Sequence, residues 1–325
     1  MTSFLRDLEP WRRPYDWYGI VYALTSAWYP WLNPACFEVL ADPGPLQNPP
    51  GHTLLHLFLA AVFWLLPPIV RRRGGAAGRV VGLVYMPLLF GTFYAQIEYL
   101  GVIFRDYGDP FDPVLIDLEA AIFGMQPSLE WSRAWPWPWL LELMQFAYFS
   151  YYFFPLIGLL VIWLASGADR PTRWRWSEAY IRDLTAVMLT CYAWYVFVPV
   201  WGPKYFDYLG VAGTIASEGL HGLIFTDVMH WIHAQGALHG AAFPSSHVAG
   251  SMVAWWWGWK TAPRHRAWLT VLWGLLCLSI VYCRYHYVVD LVAGVAWGAL
   301  IMALTARLVS PSSSATDAPR PADAP

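Results

Sequence analysis

The sequence predicts an all-α polytopic membrane protein, a transmembrane helical bundle of about seven spans within a range of six to eight. Three observations carry this. Of 325 residues, 58% are hydrophobic and only 13% are charged, whereas a soluble domain carries about 25% charge. So few charges cannot dress a solvated surface, and lipid has to cover much of the chain. Apolar stretches approaching the roughly 20 residues needed to cross a bilayer recur from residue 52 to residue 307. The 22 Trp and 19 Tyr suit the aromatic belts of membrane–water interfaces.

In chain order the spans fall at about 52–70, 79–101, 139–165, 183–201, 246–259, 267–283 and 287–307. The fifth is short, and the last two are nearly continuous, broken by Arg284 and His286. Residues 15–33 form either a short eighth span or a helix lying in the interface. Residues 1–50 are therefore read as a membrane-associated segment and 51–308 as the integral domain, with its functional core at 180–307. The Ser-, Pro- and Ala-rich tail 309–325 is expected to be disordered. No charged n-region, apolar stretch and cleavage site open the chain, so a cleaved signal peptide is not expected. Cys36, Cys191, Cys277 and Cys283 form no CxxC pair and read as apolar fillers. The formal net charge of −2 argues against nucleic acid, which demands a basic face.

Loop charges set the orientation. Arg71, Arg72, Arg73 and Arg79, then Arg170, Arg173, Arg175 and Arg182, then Lys260, Arg264 and Arg266 occupy three alternate loops and make up eleven of the 20 basic residues. The positive-inside rule makes those loops cytoplasmic. The opposite loops carry Asp106, Asp109, Asp112, Asp117 and Glu119, then Asp207, Glu218 and Asp227. These face outward, which for a bacterial protein means outward from the inner membrane. Arg6, Arg12 and Arg13 favour eight spans over seven.

Three outward stretches carry chemistry. His286 and Asp290 stand at i and i+4, one face of a helix. The carboxylate can fix the imidazole tautomer and leave the other nitrogen free to attack, and ionisable groups at membrane depth are functional by default. The run Phe243-Pro244-Ser245-Ser246-His247 places two hydroxyls and an imidazole at a helix start. Ser245 or Ser246 can cap that helix, its free N–H groups suit an anion, and His247 can protonate a leaving oxygen. Lys204, in Gly202-Pro203-Lys204-Tyr205-Phe206, and Arg284 can neutralise a phosphate.

These residues resemble the type 2 phosphatidic acid phosphatase superfamily of lipid phosphatases and phosphotransferases. PSSH at 244–247 is similar to its motif PSGH, with Ser246 in place of glycine. The stretch from Ser279 to His286 and Asp290 is similar to SRxxxxxHxxxD, with Ile280 in place of arginine. The motif KxxxxxxRP is absent, and GPKYF stands where it is expected. The resemblance implies His286 as nucleophile forming a phosphohistidine, Asp290 as its orienter, His247 as general acid, and Ser245 and Ser246 as phosphate ligands. The departures, together with Asp117-Leu118, Gly124 to Ser128 and Tyr148 to Tyr152, resemble the subgroup holding inositol phosphorylceramide synthases and their bacterial relatives. That subgroup gives Lys204 the phosphate-clamp role. The implied substrate is a phospholipid or an isoprenoid or sphingolipid phosphate among membrane lipids, the implied chemistry needs no cofactor or metal, and the acceptor is water or a hydroxyl.

Two rival readings are weighed. Asp227, His230 and His233 recur at i, i+3 and i+6, fanning over about 120° of helix; a helix over 227–236 contacting headgroups fits better than a metal site. A transporter could use intramembrane His and Asp as a proton relay, but such folds show repeats, none is visible here, and the polar residues cluster at one face.

Overall fold

The computed structural model describes residues 6–40, 44–104, 110–206, 209–210, 222–236 and 238–308. The tail 309–325 and the acidic residues Asp106, Asp109, Asp207 and Glu218 lie outside them. The described chain is helical, and its β-type pairing is a single bridge between Val200 and Ala241.

The main helices are α1 (Pro14–Ser26), α2 (Pro49–Arg73), α3 (Gly75–Tyr94), α4 (Asp112–Phe123), α5 (Pro127–Ala134), α6 (Pro138–Phe149), α7 (Phe154–Leu160), α8 (Arg170–Phe197), α9 (Ile224–Gly236), α10 (Ser246–Thr261), α11 (Arg266–Tyr282) and α12 (Val288–Leu308). Among the described residues, five stretches are long and apolar enough to cross a membrane: α2, α3, the composite Pro138–Ala165, Pro263–Tyr282 and α12. The expected spans at 183–201 and 246–259 correspond to α8 and α10 but miss that criterion for separate reasons. α8 starts thirteen residues early, adding a charged half with Arg170, Arg173, Arg175, Glu178 and Arg182; α10 has only 16 residues. The expected 79–101 span is broken, since α3 ends at Tyr94 and a one-turn helix follows at Ile97–Leu100.

α8 is the axle of the bundle: α1, α3, α10 and α12 all pack on it. Its buried Asp183 would be costly alone. It is satisfied by Arg182 Nη2 at 2.6 Å, Trp257 Nε1 at 2.9 Å and Thr305 Oγ1 at 2.8 Å, which ties α8 to α10 and α12. α1 runs along α2, with Asp16 paired to Arg71 in a buried bidentate contact of 2.6 and 2.9 Å at one end and Ser26 accepting from His52 at the other. The basic residues of the alternate loops sit at one set of helix ends, those of α2, α8 and α10. The opposite ends, where α8 stops and where α10 and α12 begin, build the site.

Close packing there depends on two glycines. Gly202 has φ +96°, and a Cβ would come within 2.9 Å of the Tyr285 carbonyl oxygen, so only glycine passes this turn. At Gly294 a Cβ would lie 2.7 Å from the Ser245 carbonyl oxygen, so α12 lies directly against the turn that starts α10.

Candidate active site

His286 sits between the end of α11 and the start of α12 and is 3% exposed. Its Nδ1 lies 3.2 Å from Asp290 Oδ2, one helical turn further on, and the same oxygen accepts the Tyr287 N–H at 2.9 Å. Its Nε2 faces Ser245 Oγ at 3.3 Å and His247 Nδ1 at 3.2 Å. His247 Nε2 meets the Tyr148 hydroxyl at 2.9 Å. One tautomer assignment satisfies every partner: Tyr148 donates to His247, His247 Nδ1–H donates to His286 Nε2, and His286 Nδ1–H donates to Asp290. Burial pushes the His286 imidazole down to about 3, so the ring is neutral and its Nε2 lone pair accepts the His247 N–H.

α10 begins beside this pair. Ser245 is its N-cap, its hydroxyl accepting from the Val248 N–H, and its backbone N–H donates to the Asp290 carbonyl at 3.1 Å. Tyr195 of α8 pins the same turn, donating to the Pro244 carbonyl at 2.8 Å and accepting the Ser246 N–H at 3.1 Å. Ser246 lines the adjoining cavity of about 280 Å³, as do His247, His286 and Lys204. The Lys204 ammonium lies 4.8 Å from the Tyr205 ring centroid, and burial pushes its pKa down to about 8.

Arg284 departs from expectation. It stands at φ +62° in the turn that ends α11, and this left-handed backbone sends its buried side chain toward α5, where Nε donates to Ser132 Oγ at 2.9 Å. It does not line the cavity. His233 does, on a helix observed at 224–236, with its ring 4.5 Å from that of Tyr285. His239 lies elsewhere, against Trp201, Tyr205 and Glu98.

Three site residues escape sequence reasoning. Tyr148 is one. The others are the buried carboxylates of α4, which hold the two site loops from behind. Asp112 accepts from the N–H groups of Trp201 and Gly202, both at 2.7 Å, and from the Tyr287 hydroxyl at 2.9 Å. Glu119 accepts from the N–H groups of Val288 and Val289 and so caps α12. Burial pushes both carboxyls up, Glu119 to about 7, against the opposing pull of those hydrogen bonds. Asp112 thus grips the chain two residues before Lys204 and one residue after His286. Each buried donor left unpaired costs about 1–3 kcal/mol, so Asp112→Ala is expected to cost about 3 kcal/mol or more and lower the thermal midpoint in detergent. An unchanged midpoint would mean that the clamp bears no strain.

A family model for the PAP2 superfamily matches residues 114–304, more than half of the chain. The chain belongs to the PAP2 superfamily. No curated protein and no solved structure matches it. Membership in the PAP2 superfamily and the five membrane-length helices fit an integral membrane enzyme of the phosphatase or phosphotransferase type, acting on a lipid phosphate. The matched PAP2 region contains every predicted site residue and starts after α3, which contributes one wall of the cavity.

Proposed function

We propose that the chain transfers a phosphoryl group from a lipid phosphoester or phosphodiester through a phosphohistidine on His286. The observation that carries the reading is the two-sided hold on one imidazole: Asp290 on Nδ1, and Ser245 with His247 at Nε2. The Nε2 lone pair attacks phosphorus, the bond to the leaving alcohol breaks, and His247, which takes up a proton beside the anionic phosphate, gives it to that oxygen and returns to the neutral ring. Water or an acceptor alcohol, deprotonated by His247, then attacks phosphorus, and the N–P bond breaks. Tyr148 fixes the His247 ring from its far side. Lys204 and the Ser246 hydroxyl hold the phosphoryl oxygens, where charge builds in the transition state; the expected backbone anion site is taken, since the Ser246 and Val248 N–H groups donate to Tyr195 and to Ser245. The cationic side chain supplies the charge, and no step in this scheme calls on a metal. Arg284 takes no part.

A water acceptor makes the protein a phosphatase; an alcohol acceptor makes it a phosphotransferase of the inositol phosphorylceramide synthase type. Incubation with a panel of radiolabelled phospholipids, with and without ceramide or diacylglycerol, followed by thin-layer separation, distinguishes the two. Free phosphate marks the first and a new phosphorylated lipid the second. Proton-coupled uptake into proteoliposomes with no ester turnover would favour a transporter instead.

The site belongs at the non-cytoplasmic face in this reading, because the arginine-rich ends of α2 and α8 and Lys260 at the end of α10 lie opposite to it. The path of α1 alongside α2, from the Asp16–Arg71 pair to the level of His52, supports eight crossings with the N-terminus on the basic side.

The Lys204 role carries a pH signature. The ammonium is charged below about 8 and loses its proton above it, so kcat/KM is expected to fall on the alkaline side of that value. Lys204→Arg, whose guanidinium stays charged, is expected to carry activity to higher pH. A free-enzyme profile that stays flat through about pH 9 would take Lys204 out of the phosphate site.

A further inference from the structure

One imidazole in the cavity has no part in the chemistry described so far. His233 belongs to α9, whose inner face runs through Thr226, Met229 and His233 at i, i+3 and i+7, while Asp227, His230 and Trp231 face out. α9 is fixed from its first turn: the Glu142 carboxylate of α6 accepts from the N–H groups of Leu223, Phe225 and Thr226 and from the Thr226 hydroxyl. α6 also carries Tyr148, so this helix pair presents both Tyr148 and His233 to the cavity. The His233 ring lies 5.8 and 4.5 Å from the rings of Tyr148 and Tyr285, centroid to centroid, and steeply inclined to both. Those are packing contacts, which a phenylalanine ring makes equally well. Among the described residues neither His233 nitrogen has a hydrogen-bond partner, and neither is sealed off. A polar ring set in aromatic surroundings without a partner is costly. Burial, together with the nearby Lys204 ammonium, pushes the imidazole down to about 3, so the ring is neutral and offers one donor and one acceptor.

We propose that His233 binds the alcohol that exchanges at phosphorus, through a hydroxyl other than the one that reacts, and so selects uncharged alcohols with at least two hydroxyls. The inference rests on the phosphoryl-transfer reading above and goes beyond it by giving the alcohol a site and a chemistry. In an in-line displacement the leaving oxygen and the incoming one both lie opposite the N–P bond, and His247 serves both. The alcohol therefore sits beyond His247 in either direction of the reaction. Tyr148 is the ring on that side, 5.0 Å from His247 between centroids, and His233 is the next. On transfer, the reacting hydroxyl gives its proton to His247, its oxygen bonds to phosphorus, and the His286 N–P bond breaks. The second hydroxyl meanwhile donates to the bare nitrogen of His233 or accepts from its N–H. Charge decides against an amino alcohol: among the described residues that line the cavity there is Lys204 and no carboxylate, so an ammonium has no counter-charge there. An alcohol with a single hydroxyl leaves His233 as unpaired as before.

The test uses the full-length protein in detergent, the phospholipid of the panel above that it turns over, and glycerol, propan-1-ol or ethanolamine at equal concentration. The readout is the share of phosphoryl groups captured by each alcohol rather than by water, which is fixed after the lipid has reacted. The unaltered protein is expected to favour glycerol over propan-1-ol roughly tenfold, the worth of one hydrogen bond to a group otherwise left unpaired. Ethanolamine is expected to do no better than propan-1-ol. His233→Phe keeps the ring contact with Tyr285 and is expected to bring glycerol to within about twofold of propan-1-ol. His233→Gln, which keeps a donor and an acceptor, is expected to retain part of the preference. His230→Phe, on the outward face of the same helix, is expected to retain all of it. A His233→Phe protein with the parental preference, including one slowed alike on water and every alcohol, overturns the site. So does a His233→Gln protein that loses the preference as fully as His233→Phe, or a parent that captures ethanolamine better than glycerol. An unaltered protein that phosphorylates no alcohol, or glycerol and propan-1-ol alike, overturns the site and leaves the phosphoryl-transfer reading standing. One that breaks down no lipid of the panel removes both.

Discussion

His286→Ala is expected to lower phosphoryl transfer by at least about 10⁴-fold on every substrate, because the proposed scheme loses its nucleophile. His286 lines the cavity, and a carboxylate holds its Nδ1 so that the lone pair is on Nε2. His247 cannot substitute, since in the assigned tautomer its Nδ1 carries a proton and its Nε2 is occupied by the Tyr148 hydroxyl. The measurement is single-turnover kinetics with a labelled lipid, joined to alkaline quench and isolation of the labelled protein. The parent should carry base-stable, acid-labile phosphate, and the variant none. Normal turnover in the variant would end the phosphohistidine scheme.

Asp290→Asn is expected to cost roughly 10³–10⁴-fold in kcat with little effect on substrate binding, by analogy with carboxylates that hold a catalytic imidazole in its working tautomer. Asp290 Oδ2 accepts twice, from His286 Nδ1–H and from the Tyr287 N–H. An asparagine leaves at most a neutral oxygen at that point, and with its amide turned it presents N–H₂ to Nδ1 in place of an acceptor. The ring can then settle with its proton on Nε2, the atom that must attack. Asp290→Glu does not repair this, because the longer side chain has to fit where the carboxylate is fully buried. Loss confined to KM would move Asp290 from orienting the nucleophile to binding the substrate.

The all-α membrane bundle was legible in composition and hydropathy, and the pairing of the candidate site residues in local spacing. His286 and Asp290 are one helical turn apart, and Ser245 and His247 flank one helix start, so local spacing alone specifies how each pair points. Their convergence follows from their being at the same ends of alternating helices. Tyr148, Asp112 and Glu119 act across 99, 89 and 169 residues of chain respectively, in contacts to His247, Trp201 and Val288. A tyrosine in an aromatic run and carboxylates in an acidic stretch have no local signature that separates a clamp from a solvated face. Arg284 lies away from the cavity, although it is only two residues from His286, because the left-handed turn reverses its direction. The early start of α8 was hidden for a related reason. Hydropathy begins at Asp183, whereas the helix extends back to Arg170 through charged residues. The α3 wall lay beyond the motifs altogether: Pro87, Phe90, Gly91 and Tyr94 read as ordinary transmembrane sequence until the fold sets them along the cavity.

The grip of α4 on both site loops has a mechanical consequence. Spanning helices tilt and slide as bilayer thickness changes, and the nucleophile and the ammonium belong to segments that leave different helices. A bracket standing outside the spans, bonded to the backbone on both sides, lets those helices rock while the triangle of phosphate-handling groups keeps its dimensions. Lipid composition should then alter how readily a molecule arrives far more than how fast it reacts once seated.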